Sequence, residues 1–265
     1  MRLGLHLFAW QRTPVAELRM DRPRFERNLL LAYAVAYIGA AWCTAQLILA
    51  WPAPLLGAAD LTYQSWYVFL FKIVGLLIIP GVSLRVLGYR FRDIAGPNPW
   101  SGPTIVAAAI GYSLGFSLNL GHVSHIRAAL ESGALDLVPL RVGLGIVLPL
   151  LSAGIPEEVF FRGLLQTRLE AWKGRIVAIL LSNTLFTAWH LPTRYLLARG
   201  VEGTAGDFAS VLLGTGVPVF IAGLIFSLLW DRHRKLVPLI AAHWGVDTLP
   251  AVSSLLHIMT SNIGR

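Results

Sequence analysis

Two adjacent carboxylates and an arginine stand at the end of an apolar segment near the middle of the chain. Residues 142–153 are largely apolar, and Glu157, Glu158 and Arg162 follow them. On a helix, Glu158 and Arg162 are four residues apart and share a face, so they can pair. Glu157 lies about 100° around the helix from Glu158 and can point elsewhere. Each such charge costs on the order of 2.5–3.5 kcal/mol at the centre of a membrane helix, so it usually faces a cavity inside the protein.

Taken alone, these charges are explained equally well by a Glu–Arg cluster whose side chains reach toward water at the membrane boundary. Two other apolar segments favour a functional interpretation, because they also carry ionisable groups. His190 ends one segment, and the other holds His243 and Asp247 four residues apart on one helical face. If the three helices converge, they build a polar pocket within the membrane.

Such a pocket supports two kinds of hydrolysis. In the first, Glu157 and His190 bind and deprotonate a water molecule, while His243 and a second polar group stabilise the oxyanion. In the second, His190, His243 and an acid bind Zn²⁺, which lowers the pKa of a bound water. The sequence contains no HExxH motif, so the zinc alternative has no motif of its own. We therefore predict no metal site and no cofactor.

Composition predicts a multi-pass membrane protein. Of the 265 residues, 55% are hydrophobic and only 14% are charged, whereas soluble domains carry about 25% charged residues. We predict an all-α transmembrane helical bundle of about seven to eight spans around an intramembrane polar cavity. The apolar segments that identify the spans are 28–50, 63–84, 103–120, 142–163, 176–191, 207–230 and 236–258.

Arginines predict the orientation in the membrane. Residues 1–27 carry six arginines and form a predicted cytoplasmic, partly interfacial arm before a single membrane domain, 28–265. The loops after the second, fourth and sixth spans are basic as well, which by the positive-inside rule predicts a cytoplasmic N-terminus in the cell membrane. Because the net charge of +8 lies in these short segments, it favours a membrane surface over nucleic acid as partner.

Several residues within or between the spans bear on packing. Lys72 falls near the middle of the second span, and the sequence leaves its role open. Gly111 and Gly115 have the spacing that allows two helices to approach closely. Pro149 and Pro156 predict breaks in the fourth span.

Two connections between spans are also predicted. Residues 121–141 contain His122 and His125, which could ligate a metal, but no third ligand is evident and we predict a solvated loop. Arg168 is assigned to a short connection after the fourth span. The single cysteine, Cys43, lies in the first span and supports neither a disulfide framework nor a CxxC metal site.

The polar residues form three ordered motifs that together resemble a known family. They are, in chain order, Glu157-Glu158-x-x-x-Arg162, Phe186-x-x-x-His190 and His243-x-x-x-Asp247, the first with the continuation Phe161-Arg162-Gly163. The set resembles the CPBP family of intramembrane proteases, which includes type II CAAX prenyl endopeptidases and bacteriocin-processing and immunity proteins. The resemblance covers roughly residues 142–258.

The resemblance implies peptide-bond hydrolysis by a glutamate-activated water, in a helical membrane core whose cavity opens toward the cytoplasm. By position, Glu157 matches the catalytic glutamate of the family and His190 matches its partner. Glu158 and Arg162 match a supporting pair. His243 matches the histidine that helps to bind the oxyanion.

Asp247 departs from the family pattern, since the prenyl proteases have Asn at this position. Asn can donate a hydrogen bond to an oxyanion, whereas an ionised Asp cannot. We therefore predict that Asp247 orients His243. The departure also means that prenylated CAAX proteins do not follow as the substrate, and the expected substrate is a membrane-associated or hydrophobic peptide.

Two alternatives to this glutamate protease stay open at the level of sequence. One is the zinc-dependent version of the same protease. The other is a non-catalytic membrane protein, such as a peptide-binding immunity protein or a transporter component, in which the buried charges form a binding site or a proton relay. The expected partners are a peptide or protein substrate and the lipid bilayer, without nucleic acid, and the oligomeric state is not predicted.

Overall fold

The computed structural model describes residues 20–50, 68–132, 138–197 and 203–257. Within these ranges the chain forms eight helices and a 3₁₀ turn at Phe91–Asp93, and it contains no strand, which confirms the all-α bundle. The helices are α1 Pro23–Ala50, α2 residues 68–86, α3 Gly102–Ser117, α4 His122–Glu131, α5 Val138–Lys173, α6 Arg175–Leu197, α7 Phe208–His233 and α8 Leu236–His257.

Five of these helices, α1, α5, α6, α7 and α8, are long and apolar enough to cross a membrane. Helices α3 and α4 add a sixth span if the pair, bent by 72° at a short break, crosses as one unit. The described ranges thus account for five to six of the predicted spans. The start of the predicted span 63–84 and residues 1–19 of the predicted arm lie outside the described residues.

Helix α5 occupies the centre of the bundle. Every residue from Glu158 to Gln166 is buried, and the apolar ones pack into a core shared with α1, α6, α7 and α8. Two stretches of α5, Leu150–Gly154 and Glu158–Gln166, are π-helical and begin just after Pro149 and Pro156. A proline removes one backbone donor and crowds the preceding turn, so the helix widens at both places where a break was predicted.

The end of α5 corrects one sequence prediction. Arg168 lies within the helix and is buried, so its assignment to a short connection is wrong. Its Nε is 3.0 Å from Oε2 of Glu26 on α1, and the Tyr89 hydroxyl donates to Oε1 of the same carboxylate at 2.6 Å. A carboxylate from a distant part of the sequence therefore satisfies the arginine and allows the helix to continue.

The predicted solvated loop 121–141 is also wrong, because α4 begins at His122 and α5 begins at Val138. Ala129 of α4 is buried in a small apolar cluster with Val252 and Leu256 of α8. One apolar side of α4 therefore packs against α8, which explains why this polar segment is helical.

Glycines allow α3 and α8 to approach closely. A Cβ atom added to Gly115 would lie 2.2 Å from the carbonyl oxygen of Ala242, and one added to Gly245 would lie 2.2 Å from the carbonyl oxygen of Tyr112. Gly111 faces α8 as well. The packing role predicted for Gly111 and Gly115 therefore agrees with the structure, and the contact fixes the position of α8.

We expect the substitution Gly115→Ala to destabilise the fold by about 1–3 kcal/mol, because the added methyl group overpacks the contact with α8. Thermal unfolding of the purified protein in detergent measures the effect. Gly39→Ala in α1 is the matched control, since its Cβ atom would meet nothing within 4 Å. The control should unfold at the wild-type temperature or above, because Ala favours a helix more than Gly does. Equal unfolding temperatures for the two variants would contradict the packing argument.

Candidate active site

Glu157 lies on α5 and is only 1% exposed. Its Oε1 is 2.6 Å from Nζ of Lys72 on α2. Its Oε2 is 3.8 Å from Nε2 of His190 on α6, and also 3.8 Å from Nε2 of His243 on α8. A distance of 3.8 Å is too long for a direct hydrogen bond but suits a bridge through one water molecule. Three helices thus bring ionisable groups to a single carboxylate on a fourth.

His190 is oriented by its own helix. Its Nδ1 is 2.8 Å from the carbonyl oxygen of Phe186, one turn earlier. A carbonyl oxygen only accepts, so Nδ1 donates the hydrogen, and in the neutral ring Nε2 is the acceptor on the side of Glu157. The ring of Trp189 packs against the imidazole, with the two ring centroids 4.1 Å apart.

Glu158 links α5 to α8 through His243. Its Oε1 accepts hydrogen bonds from Nδ1 of His243 at 2.7 Å and from Arg162 at 3.3 Å. Arg162 also donates to the carbonyl oxygen of Gly223 on α7 at 3.1 Å. Glu158 and Arg162 are completely buried. The pair therefore holds one nitrogen of His243 and leaves Nε2 directed toward Glu157.

Asp247 lies next to the other nitrogen of the same ring. Its Oδ2 is 3.5 Å from Nε2 of His243, and its side chain is 38% exposed. The contact from Glu158 to the same ring is shorter and buried. Glu158 therefore orients His243 more firmly than Asp247 does, although the orienting role was predicted for Asp247.

The structure adds residues whose part in the site the sequence did not reveal. Lys72 was noted as a costly charge in an apolar span, and it contacts Glu157. Nζ of Lys72 lies 5.0 Å from the ring centroid of Trp189. On α7, Phe226 stacks on His243 with ring centroids 5.3 Å apart. The sequence could not identify Trp189 and Phe226 as part of the site, because aromatic residues occur throughout the apolar spans.

Within the described ranges, no group of three or more His, Cys, Asp or Glu residues is arranged to hold a metal ion. His122 and His125 lie on α4 with ring centroids 6.2 Å apart, without a third ligand among the described residues. Cys43 is exposed on α1.

Comparison with known families matches residues 139–249 to type II CAAX prenyl endopeptidase Rce1-like proteins. The matched segment contains every predicted site residue, namely Glu157, Glu158, Arg162, His190, His243 and Asp247. No curated protein and no solved structure matches the chain. The resemblance to CPBP proteases is therefore confirmed for residues 139–249, which form an Rce1-like domain.

Proposed function

We propose that the protein is an intramembrane endopeptidase in which Glu157 and His190 activate a water molecule for attack on a peptide bond. The observation that carries the proposal is the approach of two imidazole nitrogens, from His190 and His243, to one oxygen of Glu157, each at 3.8 Å. The Rce1-like domain supports a CAAX-type protease at the level of the family.

In the first step, a water molecule donates its hydrogens to Oε2 of Glu157 and Nε2 of His190. Both atoms are acceptors, because Nδ1 of His190 donates to its own helix. The water oxygen then attacks the carbonyl carbon of the substrate. As the new C–O bond forms, the carboxylate of Glu157 accepts the proton and acts as general base.

In the second step, the tetrahedral intermediate carries a negative oxygen. His243 stabilises this oxygen with a hydrogen on Nε2, while its Nδ1 donates to Glu158. The carboxylates of Glu158 and Asp247 balance the charge of this ring. The C–N bond then breaks, and the proton held by Glu157 passes to the leaving nitrogen, which restores the carboxylate.

We propose that the end of the bundle where α1 begins and α5 ends faces the cytoplasm. Several basic residues meet at the end of the bundle where α1 begins and α5 ends, and three of them form buried or half-buried ion pairs there. Those pairs are Arg168–Glu26, Arg175–Asp231 and Arg234–Glu170. Under the positive-inside rule, this end and the N-terminus lie on the cytoplasmic side of the cell membrane.

A peptide that ends in a farnesylated CAAX sequence is the first substrate to test, because the matched family is described by that activity. The purified protein is incubated in liposomes with this peptide and with the same peptide lacking the lipid. Mass spectrometry identifies the products and the bond that is cut. Cleavage that persists in a metal-free preparation would exclude the zinc alternative, whereas activity that depends on restored Zn²⁺ would exclude the water activation proposed here.

We expect His190→Ala to lower kcat by about 10²–10⁴-fold, because a water-binding partner of the general base is lost. KM should change little, since His190 contacts the water and not the peptide chain. Initial rates of peptide cleavage measure both constants. His125→Ala, on the exposed surface of α4, is the control and should keep wild-type rates. Full activity in the His190 variant would remove this residue from the mechanism.

A further inference from the structure

Lys72 is a charged residue inside α2 that the mechanism above does not use. Its Nζ is 2.6 Å from Oε1 of Glu157, and its side chain is 15% exposed. At this distance an ammonium group and a carboxylate form a close ion pair. The contact joins α2 to α5 at the carboxylate that serves as the base.

The orientation of Glu157 depends on this contact. Within the described ranges, no donor forms a hydrogen bond of regular geometry with either oxygen of Glu157, and the ion pair with Lys72 is its closest charged contact. The terminal torsion of a glutamate is broad, so an unrestrained carboxylate group rotates readily about its last bond. With Oε1 held by Lys72, Oε2 is the oxygen that faces His190 and His243.

The balance of buried charges in the site also points to Lys72. The negative charge of Glu158 is balanced by Arg162 and by His243. Glu157 is just as deeply buried, and an unpaired carboxylate in such a position is costly. Lys72 supplies the compensating charge.

Lys72 is itself held in place by aromatic rings. Its Nζ lies 5.0 Å from the ring centroid of Trp189, which suits a cation–π interaction. The neighbouring Phe71 stacks on Tyr37 of α1 with centroids 4.4 Å apart. Both α2 residues belong to the π-helical stretch Val68–Ile78, and such stretches are frequent at functional sites.

We propose that Lys72 is a positioning residue of this protease, which holds Oε1 of Glu157 in an ion pair so that Oε2 faces the two imidazoles. The proposal rests on the proposed function, since it assigns Lys72 a task in that reaction. Lys72 acts through Glu157 and does not touch the reacting atoms. It lies outside the segment 139–249 that matches the family.

The first test is kinetic and uses the farnesylated CAAX peptide as probe. Lys72→Met should lower kcat by about 10–100-fold with KM nearly unchanged, because a small misplacement of a catalytic group costs up to about 10²-fold. Lys72→Arg should recover part of the loss, since it keeps the charge. Lys235→Met is the control, because Lys235 is a half-buried lysine that donates to Thr104 at 2.9 Å, away from the site, and it should keep wild-type kcat.

The second test measures the pairing without any substrate. Lys72→Met should lower the unfolding temperature by about 4–8 °C in the wild-type background, given roughly 2–4 °C per kcal/mol for a chain of this size. In the Glu157→Gln background the same substitution should shift the unfolding temperature by less than about 2 °C. The carboxylate charge that Lys72 balances is already absent from that variant. Equal shifts in the two backgrounds would overturn the ion pair.

The two tests distinguish a failure of the role proposed for Lys72 from a failure of the proposed protease activity. If Glu157→Gln is inactive but Lys72→Met keeps wild-type kcat, the protease stands and the role of Lys72 falls. If wild-type protein and all variants fail to cleave the probe, the proposed activity fails for this substrate. In that case unequal temperature shifts still support the pairing of Lys72 with Glu157, and equal shifts overturn it.

Discussion

The substitution Glu157→Gln is expected to reduce kcat by about 10³–10⁴-fold, which is the upper range for loss of a general base. The amide of Gln has nearly the same shape as the carboxylate, and its oxygen can still lie beside the ammonium group of Lys72. It cannot take a proton from water. The loss should therefore appear in kcat, at a KM close to that of the wild type.

Single-turnover cleavage of the farnesylated peptide measures this loss without interference from product release. Glu131→Gln is the matched control, because it makes the same chemical change at an exposed carboxylate of α4. The control should keep wild-type rates. If Glu157→Gln keeps more than about a tenth of wild-type activity, the carboxylate is not the base, since even modest general-base catalysis contributes about 10²-fold. A binding protein that needs no hydrolysis would then explain the buried charges better.

The second large effect concerns stability. Arg162→Met is expected to destabilise the fold by about 3–5 kcal/mol, the usual cost of removing one partner of a buried ion pair. Glu158 and Arg162 are both completely inaccessible, with Oε1 and the guanidinium 3.3 Å apart. Without the arginine, the carboxylate keeps its bond to His243 but loses its fixed positive partner, and the carbonyl of Gly223 loses its donor.

The chain contains a matched control for this prediction. Arg127 and Glu131 on α4 form an ion pair at the same four-residue spacing, with 2.7 Å between Nε and Oε1, but their side chains are 78% and 62% exposed. Arg127→Met should change stability by less than about 0.5 kcal/mol, because exposed ion pairs contribute little. Thermal unfolding in detergent compares the two variants, and similar losses would contradict the role assigned to burial.

Contacts within one helix were the part of the site that the sequence could predict. The pairing of Glu158 with Arg162 follows from their four-residue spacing, and so does the placement of His243 beside Asp247. The convergence of the three motifs followed from the cost of leaving their charges in lipid. Both the four-residue spacing and the cost of a charge in lipid can be read from the sequence, so these predictions required no knowledge of how the helices pack.

Contacts between helices could not be predicted in the same way. The bond from Glu158 to His243 and the ion pair from Lys72 to Glu157 depend on how α2, α5 and α8 pack, which spacing along the chain does not determine. The length of α5 was underestimated for a related reason. The polar end of α5 was interpreted as a connection because the sequence does not reveal Glu26, the distant partner of Arg168.

The π-helical stretch Glu158–Gln166 has a consequence for how the gene can vary. An i→i+5 turn of a π-helix holds one residue more than an α-helical turn. Loss of one residue within the stretch would return it to α-helical geometry, with Glu157 still beside Lys72 at one end and Arg168 still beside Glu26 at the other. This stretch is therefore where α5 can lose a residue and keep both ion pairs, whereas a loss from an α-helical turn would rotate everything beyond it by about 100°.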